Sequence, residues 1–382
     1  AVHRSFKFCL LTLGRDVPEA RFAFFLHAPA ELAEPERNFT LSPEQIETIN
    51  PNTRTAPVFR SRADGELTAK IYSNSGILIS RPANRERHAY ETVVIQNFFT
   101  SSNSSDAILF ERHHGQADNP NLLPVMRGGS VYQFDHRFDA PPRVKAEGSE
   151  WRGSDRFVPR EEVIARLSAR GWDKQWMMGW RDICRSTDER TVIASALPIT
   201  GSDDTLSLVL PRKQPIKLAG SLLANLNSLV LDYAAQSKVG GTHIRKNVIA
   251  QFPILPPDFY TPDRLAFITP RVLELTYTSH ALAPFARDLG HDGPPFRWDE
   301  DRRAHLRAEL DAFYARAYGL TRDELRYILD PADVKGADYP SETFRVLKQG
   351  EIRKHGEYRT RRLVLAAWDR FEEDGTFTGL GL

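Results

Sequence analysis

Apolar residues fall in short runs through the first half of the chain and at helical spacing through the second, a pattern that predicts strands followed by helices. The runs FKFCLLTL (6–13) and FAFFL (22–26) flank Gly14 to Pro18 and read as a hairpin of buried strands. Ser42-Pro43-Glu44-Gln45 forms a capping box with proline at the first helical position, so a helix of about two turns starts there. Residues 53–65 are polar and arginine-rich, the composition of a linker or surface loop.

From Gly76 to Thr200 the pattern is mostly β with one helix. GILIS and AILFER are strand-like, 124–138 alternates apolar and polar residues, and 157–171 holds a proline-started helix ending at Gly171. TVIASALPI and TLSLVLP predict two strands around a turn at Thr200 to Asp204. Lys217 to Lys238 reads as one helix with Leu222, Leu226, Leu229 and Tyr233 on a core stripe. Beyond Pro257 helices take over. Asp299 to Tyr318 repeats Leu306, Leu310, Phe313 and Ala317 and stops at Gly319; Thr321 and Glu324 form a second capping box; Pro331 ends that helix. The last stretch, Gly350 to Arg370, turns Leu363, Val364, Ala367 and Trp368 inward. The expected class is α+β: an α/β segment over 1–75, a mixed-sheet domain over 76–260 and a helical carboxyl-terminal module over 261–382.

Composition narrows the functional classes. The 382 residues suffice for two or three domains with real cores. Cys9 and Cys184 alone cannot build a disulfide framework or a cysteine-based zinc site. No apolar run is long enough to span a bilayer, and no signal peptide is evident, so the expected location is the cytoplasm, without membrane contact. With 51 Lys and Arg against 50 Asp and Glu, the net charge is +1. A nucleic-acid partner would have to be met by local basic clusters.

Several such clusters exist. WRDICRSTDERT (180–191) concentrates Arg181, Arg185 and Arg190, side chains able to grip phosphates or guanine edges, although alternating charges also suit a solvated, internally paired surface. Arg127 precedes Gly128-Gly129, where the backbone could approach a phosphate closely; a plain turn would look the same. In VYQFDHRF, with Phe134 and Phe138 inward, Gln133 and Arg137 would face outward on a strand, the types suited to adenine and guanine in a major groove. Lys238, Thr242, His243, Arg245 and Lys246 surround the Gly240-Gly241 break, where a helix amino terminus could hold phosphate or Thr242 could simply cap it. A further basic cluster runs from Arg353 to Arg362. His113-His114 has no partner spacing for a metal, and no catalytic triad or Gly-rich phosphate loop is legible.

The order of motifs resembles a known family. Leu226-Asn227-Ser228, Gly241-Thr242 and Phe252-Pro253-Ile254 with Pro256-Pro257 are similar to the closing segment of TaqI-like target-recognition domains. LPVMRGG (123–129), the 180–191 block and the late segments FRWDEDRRAHLRAELDAFYARAYGLTRDELRYILDP and YPSETFRVLKQGEIRKHGEYRTRRLVLAAWDRF resemble the carboxyl-terminal region of large Eco57I-like and DISARM-type adenine-N6 DNA methyltransferases. The resemblance implies sequence-specific binding of double-stranded DNA within a restriction or anti-phage system, alongside a methyltransferase domain and other defence subunits. It also implies S-adenosylmethionine as cofactor of the parent protein. Neither the Gly-rich cofactor turn nor the [DNS]-P-P-[YFW] loop is present; Asn50-Pro51 and Asn119-Pro120 lack the aromatic. The chain opens within an apparent strand and reads as a fragment downstream of the catalytic domain, with no catalytic residue and no cofactor of its own. Other readings are a scaffold that docks nuclease or helicase partners, and a cryptic nuclease.

Overall fold

The computed structural model describes residues 9–12, 14–15, 19–82, 85–139, 155–185 and 187–382. Its centre is a four-stranded antiparallel sheet in the order Ala194–Pro198, Trp176–Arg181, Leu206–Leu210, Val93–Ile95. Trp176 to Trp180 are all buried, so this strand is covered on both faces and carries no alternation for a sequence pattern to reveal. Gly179 sits at its middle because a Cβ there would stand 2.6 Å from the Ser207 carbonyl oxygen of the next strand. A smaller mixed sheet sets Leu122–Met126 parallel to Gly201–Ser202 and antiparallel to Phe157–Pro159. With its many helices the architecture is α+β.

Against the sheet packs a helical pair, Leu218–Asn227 and Leu229–Gln236, in place of the single helix expected. Ser228 leaves helical backbone at ψ 146° and its side chain accepts from Leu231 N–H, ending one helix and capping the next. Every residue from Leu218 to Ala235 is buried, which is why an amphipathic stripe understates its role. The break is fixed by polar bonds. Asn227 exchanges hydrogen bonds with the Ala194 backbone, and Asn225 accepts from Leu255 N–H while donating to Tyr318. Asn227 of the Leu226-Asn227-Ser228 motif therefore ties the helical pair to the sheet, and the neighbouring Asn225 ties it to the carboxyl-terminal module.

Both capping boxes are present, before helices Pro43–Ile49 and Arg322–Leu329, and the long helix Glu300–Ala317 starts on Asp299. Leu363, Val364, Ala367 and Trp368 are buried on helix Arg359–Glu373, which packs along Glu300–Ala317. Three expectations are corrected. AILFER lies in helix Ser104–Arg112, begun by Asn103 accepting from Ser105 N–H, because a short apolar run does not by itself distinguish strand from helix. Residues 53–65 run into helix Arg62–Ser73, opened by a buried Ser61/Asp64 capping box. Alternation over 124–138 holds only to Met126. The expected first hairpin of buried strands is also corrected: only Phe22 of FAFFL lies in a strand, Ala20–Phe22, which pairs with Phe39–Leu41, and of residues 6–13 the described ones, 9–12, form no strand and are exposed, Leu10 and Leu11 among them. One apolar cluster runs from Phe39 to Phe377. Among the described residues no helix is long and apolar enough to cross a membrane.

Candidate functional site

Three segments singled out in the sequence meet at one end of the four-stranded sheet, beyond the paired residues Arg181 and Leu206. Gly128 N–H donates to Thr205 Oγ1 at 2.8 Å, and a Cβ at Gly128 would stand 2.5 Å from the Thr205 carbonyl oxygen. Close approach is thus what Gly128 supplies, but to protein backbone; Gly129 is the exposed one. The guanidinium of Arg181 closes the corner by donating to the Gly128 and Val131 carbonyls. Asp182 N–H reaches the Thr205 carbonyl, Ile244 N–H the Asp182 carbonyl at 2.8 Å, and Cys184 N–H the Thr242 carbonyl at 3.0 Å. The 182–184 and 242–244 backbones are thereby joined as antiparallel neighbours, with Ile183 opposite His243.

Asp182 organises the charges. Its carboxylate is 0% exposed; Oδ2 lies 2.9 Å from Arg245 Nη1 and 3.3 Å from His243 Nδ1, while Oδ1 has no hydrogen-bond partner among the described residues. Burial pushes this carboxyl above its ordinary range, and Arg245 and His243 pull it back. An ionised carboxylate only accepts, so His243 Nδ1 carries the proton in this contact and Nε2 is left for another partner. Lys246 pairs with Glu86 at 3.1 Å, and Arg127 and Arg185 are exposed without an ion pair among the described residues. Burial pushes the neighbouring Cys184 thiol up to about 12, which removes it as a nucleophile.

Other predicted site residues are placed differently. Gln133 and Arg137 are 3% and 1% exposed, not on an outward strand face: the backbone turns at Phe134, whose φ is 60°, and carries both side chains inward. Gln133 donates to the Asn227 carbonyl and Arg137 to Thr278. Arg190 is buried against Asp232 at 2.5 Å. Lys238 points to the Ile49 carbonyl and Asn50 Oδ1, over the Tyr72 ring at 4.4 Å, and burial brings its ammonium down to about 7. Thr242 caps no helix. The helix after the break is only Lys246–Ile249, and its first N–H is taken by Gln96, so no helix-terminal phosphate site stands there. In the Arg353–Arg362 cluster, Arg359, Arg361 and Arg362 pair with Asp301, Asp330 with Asp333, and Glu357 respectively.

Sequence reasoning missed Asp182 and Ile183. The signal was available in the alternation of Asp182, Ile183, Cys184 and Arg185, two of which are buried and two exposed. A hollow of about 350 Å³ between Glu34–Glu36 and Lys335–Pro340 involves none of these residues. No model of a known protein family matches the chain, and no curated protein matches it.

Proposed function

We propose that this chain is the sequence-specific recognition part of an adenine-N6 DNA methyltransferase of a restriction–modification or anti-phage defence system in the bacterial cytoplasm. Its partner is double-stranded DNA. Methyl transfer from S-adenosylmethionine belongs to another domain of the parent protein. The observation that carries this reading is the meeting of 127–129, 181–185 and 241–246 on one exposed corner. There Arg127 and Arg185 have no ion pair among the described residues and Arg245 is held on a buried carboxylate, an arrangement of guanidinium groups suited to phosphates and base edges.

Two outcomes test it. Binding of the purified chain to duplex DNA is expected to weaken steeply as salt rises, and Arg127→Ala should lower the slope of log K against log salt by about one. A flat salt response, unchanged by Arg127→Ala, rules the reading out. It would favour the scaffold role, for which the Arg245–Asp182 and Lys246–Glu86 pairs speak, since those cations already have partners. Calorimetric titration of the chain with S-adenosylmethionine should show no micromolar binding, because neither cofactor motif is in the sequence.

A further inference from the structure

We infer that the ribbon formed by Asp182–Arg185 and Gly241–Arg245 is a base-reading element that lies in the DNA major groove; the inference rests on the DNA-recognition reading above. The register set by the Ile183–His243 pair and the flanking backbone bonds gives the ribbon two unlike faces. Asp182, Cys184 and Ile244 turn inward and are buried. Ile183 turns outward at 48% exposure, with exposed Arg185 two residues on, while on the other strand the side chains of His243 and Arg245 bend to the Asp182 carboxylate and stay 42% and 40% exposed. An exposed aliphatic side chain set among two arginines and a histidine is unsuited to a phosphate track. It matches a groove floor. Arginine takes guanine O6 and N7 bidentately, an apolar side chain meets the thymine methyl, and the groove, about 12 Å wide, admits a two-stranded ribbon.

The electrostatics favour reading over mere holding. Arg245, with its side chain 40% exposed, is anchored through Nη1 to the buried Asp182, which restricts its rotamers before any base is met. Asp188 accepts from Arg185 N–H and Glu189 from Tyr132, but these neutral donors leave both exposed carboxylates charged beside the ribbon. Asp204 is exposed as well, and the three carboxylates repel the DNA backbone, which confines the footprint to the ribbon and the Arg127 turn.

The test starts from a random-sequence duplex library, from which the 382-residue chain selects its ligands. The enriched duplex is then treated with dimethyl sulfate, which attacks guanine N7 in the major groove and adenine N3 in the minor groove. A short enriched motif with N7 protected and N3 reactive is expected. Arg185→Ala and Arg245→Ala should each free one guanine and lose roughly 5- to 150-fold discrimination at that position, while Arg127→Ala weakens all sequences alike. Arg245→Lys keeps the charge and the Asp182 contact but not the bidentate fork, and should lose the same discrimination with an unchanged thermal melt. Binding with N3 protected and N7 reactive, or motifs unchanged in both arginine variants, overturns the ribbon's role while duplex recognition stands; binding with no enriched motif overturns sequence-specific recognition as well. Absence of duplex binding at low salt overturns both.

Discussion

Arg190→Ala should lower the stability of the chain by about 3–5 kcal/mol, because it strands a buried carboxylate. Arg190 Nε lies 2.5 Å from Asp232 Oδ2 and its Nη2 donates to the Asn227 carbonyl at 2.7 Å, so one side chain joins the segment before the Ala194–Pro198 strand to both helices of the central pair. Asp232 is fully buried and also accepts from the Thr191 backbone N–H at 3.0 and 3.2 Å. Denaturant unfolding of Arg190→Ala, Asp232→Asn and the pair Arg190→Met/Asp232→Leu separates the contributions. The first should show a large fall in midpoint, and the apolar pair should recover much of it, since neither charge is then left alone in the interior. The same series decides between structure and recognition. A DNA contact would leave the midpoint in place and lower affinity instead, and an Arg190→Ala midpoint within experimental error of the parent would sink the structural assignment.

Arg190 illustrates what could be read from the sequence and what could not. Features decided within a few residues were legible: the Ser42 and Thr321 caps, the helix from Asp299, and the strands within TVIASALPI and TLSLVLP all depend on local spacing. Features decided by burial on two sides were not. WMMGWR carries no alternation, and the Leu218–Gln236 pair shows no polar face, because neither meets water. At the candidate site the segments were visible one at a time, as runs of arginine, glycine and histidine. Their union depends on the pairing of 182–184 with 242–244 across some sixty residues of chain, which no local pattern encodes. Gln133 and Arg137 mark the opposite failure: a single residue at positive φ, Phe134, reverses the face on which the next side chains lie.

Stability should also rise as the medium is acidified from about pH 6 to pH 4 through one group, Asp311. Its carboxyl is buried beneath the Ser228 break, where Oδ1 accepts from Leu229 N–H at 2.8 Å, and burial pushes it up to about 6 against Arg190 and Arg307, which pull it down. In the unfolded chain the group titrates near 3.8. Between these values the folded state holds a proton that the unfolded state has released, so protonation favours folding as pH falls through about 6, and the gain is complete below about 4. The span corresponds to about 3 kcal/mol, at 1.36 kcal/mol for each pH interval of one. Asp311→Asn keeps an oxygen for Leu229 N–H and removes the titration. Subtracting its unfolding free energy from that of the parent at each pH isolates the carboxyl from every other acid in the chain, and the parent should gain on the variant from pH 6 down to pH 4. A difference curve that is level over that interval, or that slopes the other way, would mean that Asp311 stays ionised in the fold and that Arg190 and Arg307 outweigh its burial.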